Sequence, residues 1–164
     1  MTEIYVDTNV IVARYKPDDP LFRVADSFFN LDSEFYISSL TLVELFSVLS
    51  RVRIKLLVRR PSLNTLVSFI VRDCNLRPIE RFHSITRTMV GLKLTMPFEY
   101  SIAMKLANML KLRTLDLLHV AIASLARDIG LLHIFVTGDK EILRRRRKIQ
   151  KSTGLLVKHP SELM

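Results

Sequence analysis

Apolar and polar positions along the chain alternate between two rhythms. Short apolar runs read as strands at Glu3–Val6, Phe35–Ile37, Leu76–Ile79, His133–Thr137 and Leu155–Lys158. Between them, apolar residues recur at three- and four-residue spacing, the signature of amphipathic helices. One helix, capped by Thr8 or Asn9, is expected to end before Pro17, and another covers Leu21–Leu31. Ser38 or Ser39 caps a long helix from Leu40 to about Val58, closed by Pro61, and Leu63–Asp73 forms the next. Further helices are expected over Phe98–Leu112, Thr114–Ile129 (with Gly130 as its C-cap) and Lys140–Ile149. Residues 81–96 fit neither rhythm and read as an irregular or helical connection. Strands alternating with helices predict an α/β domain around a mostly parallel sheet.

Composition narrows the class. A chain of 164 residues with 49% hydrophobic and 25% charged positions suits one globular domain. No apolar stretch is long enough to span a membrane. The N-terminus enters a strand directly and carries Glu3 and Asp7, unlike a signal peptide. The single cysteine, Cys74, reads as a small core residue; alone it forms neither an intramolecular disulfide nor a zinc ribbon. A reducing cytoplasm is the expected location.

Charge changes the picture more. The net charge is +9, and it is clustered. Arg51, Arg53, Lys55, Arg59, Arg60 and Arg72 fall in a span with no acid, and Arg144–Lys148 forms a second cluster. Such clustering fits a polyanion partner. Within the second cluster, Arg144, Arg147 and Lys148 share a face on one continuous helix and become candidates for nucleic-acid phosphate contacts, as do Arg51 and Lys55.

Against this basic background, four acids stand out: Asp7, Glu44, Asp116 and Asp139. Asp7 and Asp139 follow strands, at the sheet edge where open α/β sheets bind ligands. Glu44 and Asp116 lie in strongly apolar helices, where a carboxylate is costly unless paired or metal-bound. Glu44 shares a helical face with Leu40, Thr41, Ser47, Val48, Arg51 and Lys55. Each acid also has a plain structural reading: an Asx-type cap for Asp7, a first-turn acid for Asp116, an N-cap for Asp139. Four such acids at one sheet edge favour a divalent-cation site, because crowded carboxylates raise one another's pKa and Mg²⁺ or Mn²⁺ relieves the crowding. His119 shares a helix face with Asp116; a ligand or general acid is one reading, and a packed or phosphate-touching residue is the favoured one.

The segments Ile4–Asn9, Thr41–Leu45, Leu115–Ala123 and Phe135–Lys140 together resemble the signature blocks of PIN-domain proteins, and most of all VapC-type toxins, the ribonuclease halves of toxin–antitoxin pairs. The resemblance spans nearly the whole chain. It implies a three-layer α/β/α fold with a central, mostly parallel sheet of four to five strands. Residues 1–164 would then be one nuclease domain, with 76–112 as an enlarged insertion. It also implies an Mg²⁺- or Mn²⁺-dependent ribonuclease whose acidic centre is Asp7, Glu44, Asp116 and Asp139, supported by Asn9 and Thr137. An antitoxin protein, RNA and a second copy of the chain are the implied partners.

Other functions compete. One is a catalytically inactive nucleic-acid-binding or scaffold module of the same fold, and another is an RNA-processing nuclease outside toxin–antitoxin systems. Phosphotransfer chemistry fits poorly. Asp7-Thr8-Asn9 lacks the second aspartate of an Asp-x-Asp phosphatase, and only Glu80 lies where a receiver domain needs its phosphoacceptor.

Overall fold

The computed structural model describes residues 1–51, 62–79 and 82–164, and for Met89 the backbone alone. Five parallel strands form the central sheet: β1 (Thr2–Val6), β2 (Ser33–Ile37), β3 (Leu76–Pro78), β6 (Ile134–Val136) and β7 (Leu156–Lys158). Their order is β3-β2-β1-β6-β7. The chain therefore moves outward from β1 in one direction, then returns to β1's other edge and moves outward again. That reversal opens a crevice beyond the carboxyl ends of β1 and β6.

Helices cover both faces. Strand side chains alternate between faces, so Ile4 and Val6 enter one core while Tyr5 enters the other. The first core packs α1 (Thr8–Ala13), α2 (Phe22–Phe28), α3 (Ser39–Arg51) and α4 (Leu63–Asp73) against the sheet. The second packs α5 (Phe98–Leu110), α6 (Thr114–Asp128), α7 (Lys140–Arg144) and α8 (Arg146–Thr153) around Tyr5, Phe135 and Val157. This is the three-layer α/β/α arrangement expected from the sequence.

Four details differ from the sequence reading. Residues 84–97 form an antiparallel hairpin, β4 (Ser84–Met89) and β5 (Leu92–Pro97), instead of an irregular or helical connection. Its two-residue turn is Val90-Gly91, with φ of 50° and 78°, a turn geometry that usually advertises itself with Asn or Asp. Helix α5 stops at Leu110 because Lys111 adopts the left-handed conformation, φ 50°. The expected Lys140–Ile149 helix breaks at Arg145 (φ −96°, ψ 3°), so Arg144 belongs to a different helix from Arg147 and Lys148. Finally, the cap of α1 is Asp7, not Thr8 or Asn9. The portion of the long helix expected beyond Arg51, with Lys55, lies outside the described residues.

Candidate metal centre

Asp7 follows β1 directly and is buried. Its Oδ2 accepts hydrogen bonds from Thr137 Oγ1 at 2.6 Å and Asn9 Nδ2 at 2.7 Å. Asn9 spans the crevice: Gly138 N donates to its Oδ1 at 2.9 Å. The close approach depends on Gly138 lacking a side chain, since a Cβ there would lie 2.2 Å from Leu21 Cδ1 and 3.3 Å from Asn9 Oδ1. Thr137 also accepts from Asp139 N at 2.9 Å. Asn9 and Thr137 thus tie the loop after β1 to the loop after β6.

Asp139 caps α7, its Oδ1 accepting from Glu141 N and Ile142 N at 2.7 and 3.1 Å. Its Oδ2 makes no hydrogen bond among the described residues. Asp116 lies in the first turn of α6, half-buried. Its pKa is pushed up to about 6, first by desolvation and then by the fields of Asp139 and Asp7. A first-turn aspartate alone would be stabilised as the anion by the helix dipole, so burial, with the nearby carboxylates adding to it, outweighs the dipole here.

Glu44 reaches in from α3. Its Oε2 accepts a short hydrogen bond from the Thr8 hydroxyl and lies 2.7 Å from His119 Nε2. His119 Nδ1 lies 2.8 Å from the Tyr5 hydroxyl, which lies 2.8 Å from Ser38 Oγ. Tyr5, Ser38 and His119 are buried, so this chain is shielded from competing water. One ligand atom each from Asp7, Glu44 and His119 falls within 4.8 Å of the others.

The titration of these groups follows from their partners. Burial raises the Asp7 pKa, and the Glu44 charge adds to it, against the lowering effects of His119, Thr137 and Asn9. Burial also opposes ionisation of Glu44, yet hydrogen bonding and charge from His119, with the Thr8 hydroxyl, hold its pKa below the usual carboxylate range. Burial disfavours a charged His119, but Tyr5, Glu44 and Asp7 outweigh it and raise the imidazole pKa well above its ordinary range.

The donor set suits a hard divalent cation, which prefers oxygen ligands and retains waters. Asp7 and Glu44 offer such oxygens in the cluster with His119, and Asp116 and Asp139 fall outside that cluster. His119 has both ring nitrogens engaged, so it orients Glu44 in the manner of an outer-shell residue. The sequence reading took His119 as a packed or phosphate-touching residue, named Thr8 and Ser38 only as helix caps, and gave Tyr5 no role beyond its strand. The available signal was Tyr5 itself: a tyrosine in a doubly covered strand needs a buried partner for its hydroxyl.

A cleft of about 380 Å³ opens beside these acids, lined in part by Asp7, Asn9, Lys16, Glu44, Ser47 and Arg51. From α3, Glu44, Ser47, Val48 and Arg51 line it. Arg51 donates to its own helix, to Ser47 O at 3.1 Å, and remains exposed. The second basic cluster is divided by its ion pairs. Arg144 and Arg145 both contact Glu141, and Arg146 contacts Glu162. Arg147 and Lys148 are exposed on α8 and form no ion pair among the described residues. None of the described helices is long and apolar enough to cross a membrane.

A family model for the PIN domain matches residues 4–148. Solved structures share the fold at low sequence identity. VapBC2 from Rickettsia felis, bound to a DNA fragment from its promoter, aligns with a TM-score of 0.57 and 14% identity, covering 96% of this chain and 98% of that one. VapBC-1 from nontypeable Haemophilus influenzae gives 0.55 and 15%, covering 98% and 99%. FitAB bound to an IR36 DNA fragment gives 0.53 and 17%, covering 96% and 94%. A comparison with curated proteins returns no match.

Proposed function

The chain belongs to the PIN-domain family, and from that premise we propose that it is a metal-dependent endoribonuclease acting as the toxin of a toxin–antitoxin pair. The observation that supports this most is the acid cluster at the switch point: Asp7 and Glu44 close together, with Asp116 raised to about 6 by burial first and then by the Asp139 and Asp7 carboxylates. Asp7, Glu44, Asp116 and Asp139 would hold Mg²⁺ or Mn²⁺. Such a cation, when bound, lowers the pKa of a coordinated water and neutralises charge on a phosphodiester.

The protein's own residues do the positioning. Thr137 and Asn9 fix the Asp7 carboxylate, and Thr8 and His119 fix that of Glu44. Arg51 and Lys16 on the cleft wall would meet phosphates, while Arg147 and Lys148 extend the basic surface. The shared fold with chains of VapBC and FitAB structures supports an antitoxin partner. A homodimer and a cytoplasmic location complete the reading.

The test is cleavage of a panel of single-stranded and structured RNAs, with DNAs of matching sequence, in Mg²⁺, Mn²⁺ or EDTA. Cation-dependent RNA cleavage that Asp7→Asn abolishes supports the proposal. Cleavage of DNA alone, or equal cleavage by Asp7→Asn, contradicts it.

A further inference from the structure

An apolar groove of about 570 Å³ opens between β5, α5 and the start of α6. Met96, Tyr100, Ala103, Met104, Leu112 and Leu117 form most of its lining, and no charged residue among the described ones joins them. It shares no lining residue with the acidic cleft. Tyr100 and Met104 are half-exposed, and so is Leu94, which pairs with Arg87 across the hairpin. Apolar surface gathered in one concave place calls for an occupant in a way that scattered exposed residues do not.

Charge around the groove has one sign. Arg87 and Lys105 line an adjoining recess together with Met104, the residue that the two depressions share. Lys111 and Arg113 flank Leu112 of the groove wall, and both are exposed. None of these four cations forms an ion pair among the described residues. Between Ser84 and Leu115 the single acid is Glu99, which is only partly exposed.

We propose that this groove seats an amphipathic helix of a protein partner, apolar along one side and acidic along its flanks. Leucine-like side chains would fill the floor, and carboxylates would meet Arg87, Lys105, Lys111 and Arg113. Tyr100, Ala103, Met104 and Ala107 present the floor over two turns of α5, the span covered by anchors at i, i+3 or i+4, and i+7 of a docked helix. Met96 and Met104 adapt to the side chains that arrive. A second copy of this chain brings the same cations to the same rim and is repelled, whereas an acidic partner is drawn to a chain of net charge +9. RNA would engage the cations but has little use for an apolar floor with a single aromatic ring.

The groove also touches the helix that carries site residues. Thr114, Leu117 and Leu118 line it and belong to the first two turns of α6, which carry Asp116 and His119. A partner seated there holds those turns from the side away from the cleft wall formed by Leu115. Docking is measured without cleavage, so it stands or falls independently of the ribonuclease reading.

The test uses the full chain with ¹³C-labelled methionine methyls and three synthetic peptides of about 14 residues, or about four helical turns. The first places leucine at helical spacing on one face and glutamate elsewhere. The second has the same composition with the leucines spread around the helix, and the third replaces every glutamate by lysine. Only the first should bind tightly by fluorescence anisotropy, with the other two at least tenfold weaker. It should shift the methyl signals of Met96 and Met104 and leave Met1 and Met164 in place. Met104→Glu, at a half-exposed position, should weaken the first peptide at least tenfold. The double variant Arg87→Glu with Lys105→Glu should favour the lysine peptide over the glutamate one.

Absence of binding by the first peptide would overturn the proposal, as would equal binding of all three. Binding that leaves Met96 and Met104 unshifted, or that survives both variants, places the peptide elsewhere and also overturns it. Shifts of Met96 and Met104 on raising the concentration of the protein alone, lost in Met104→Glu, would give the groove to a second copy. The same shifts produced by a short RNA would give it to nucleic acid.

Discussion

His119 Nε2 lies 2.7 Å from Glu44 Oε2, although 75 residues separate the two in sequence. The contact holds a carboxylate of the candidate centre by a ring that is itself fixed by Tyr5. His119→Ala should therefore act on both stability and function. Removing the buried ring leaves a cavity and strips partners from Glu44 and Tyr5, a loss of about 2–4 kcal/mol. Urea denaturation checks this; a loss within experimental error would show that the contact is not formed.

Tyr5→Phe tests the same chain more gently. It keeps the ring in its core and removes only the hydroxyl that meets Ser38 and His119. The expected cost is about 1–2 kcal/mol, because partners on both sides lose a buried hydrogen bond. Cleavage should fall as well, seen in kcat more than in KM, since Glu44 is mispositioned rather than removed. Unchanged kcat alongside the stability loss would reduce the chain to a structural role.

Asp116 makes stability depend on pH. It keeps its proton up to about 6 in the folded chain, against an ordinary value of 3.8. Between those limits the folded state holds more protons than the unfolded one. The contribution of this group is thus fully present below 3.8 and is lost as pH rises through 6. A shift of two units corresponds to nearly 3 kcal/mol, which solvent screening of a half-exposed side chain reduces to about 1 kcal/mol. The difference in stability between wild type and Asp116→Asn should change by this amount between pH 4 and 7.5, with wild type losing ground as pH rises. A difference independent of pH would contradict the crowding of these acids.

Much of this architecture is legible in the sequence. Runs such as Ile4-Tyr5-Val6 before Asp7 and Phe135-Val136 before Thr137 read as strands because apolar runs bounded by polar residues have few other uses. Ser62 caps α4, and Asp139 caps α7, by the same local logic that made these boundaries visible. The hairpin was not legible because Val90 stands before Gly91 where Asn, Asp or Gly is usual. The break at Arg145 was hidden in a run of like residues with no glycine or proline to mark it. The Tyr5–His119 pairing spans 114 residues, and no periodicity reveals a partner at that distance. Glu44 and Asp116 were visible by their expense in apolar helices, and Asp7 and Asp139 by their places after strands. How Thr8, Thr137 and Asn9 hold them depends on tertiary contacts.

Phosphate contacts on α8 have their own signature. Neutralising Arg147 and Lys148, which carry no ion pair among the described residues, should weaken RNA binding at every sequence. It should also reduce the slope of log affinity against log salt by about 0.7 per lost contact. Neutralising Arg144, paired with Glu141 at 2.6 Å, should change the slope less. Fluorescence anisotropy across a salt series reads both. An unchanged slope in the Arg147/Lys148 variant removes α8 from the interface.

The most direct test of the metal centre is calorimetric titration of Mn²⁺ into wild type and Asp7→Asn at pH 7.5. Asn keeps an oxygen to accept from Thr137 and Asn9, and it removes a desolvated charge, so the variant should fold with equal or slightly greater stability. The account predicts that wild type binds Mn²⁺ and that Asp7→Asn, while folded, binds it at least tenfold more weakly. Equal affinity in the two proteins would contradict the assignment of these acids to a metal centre.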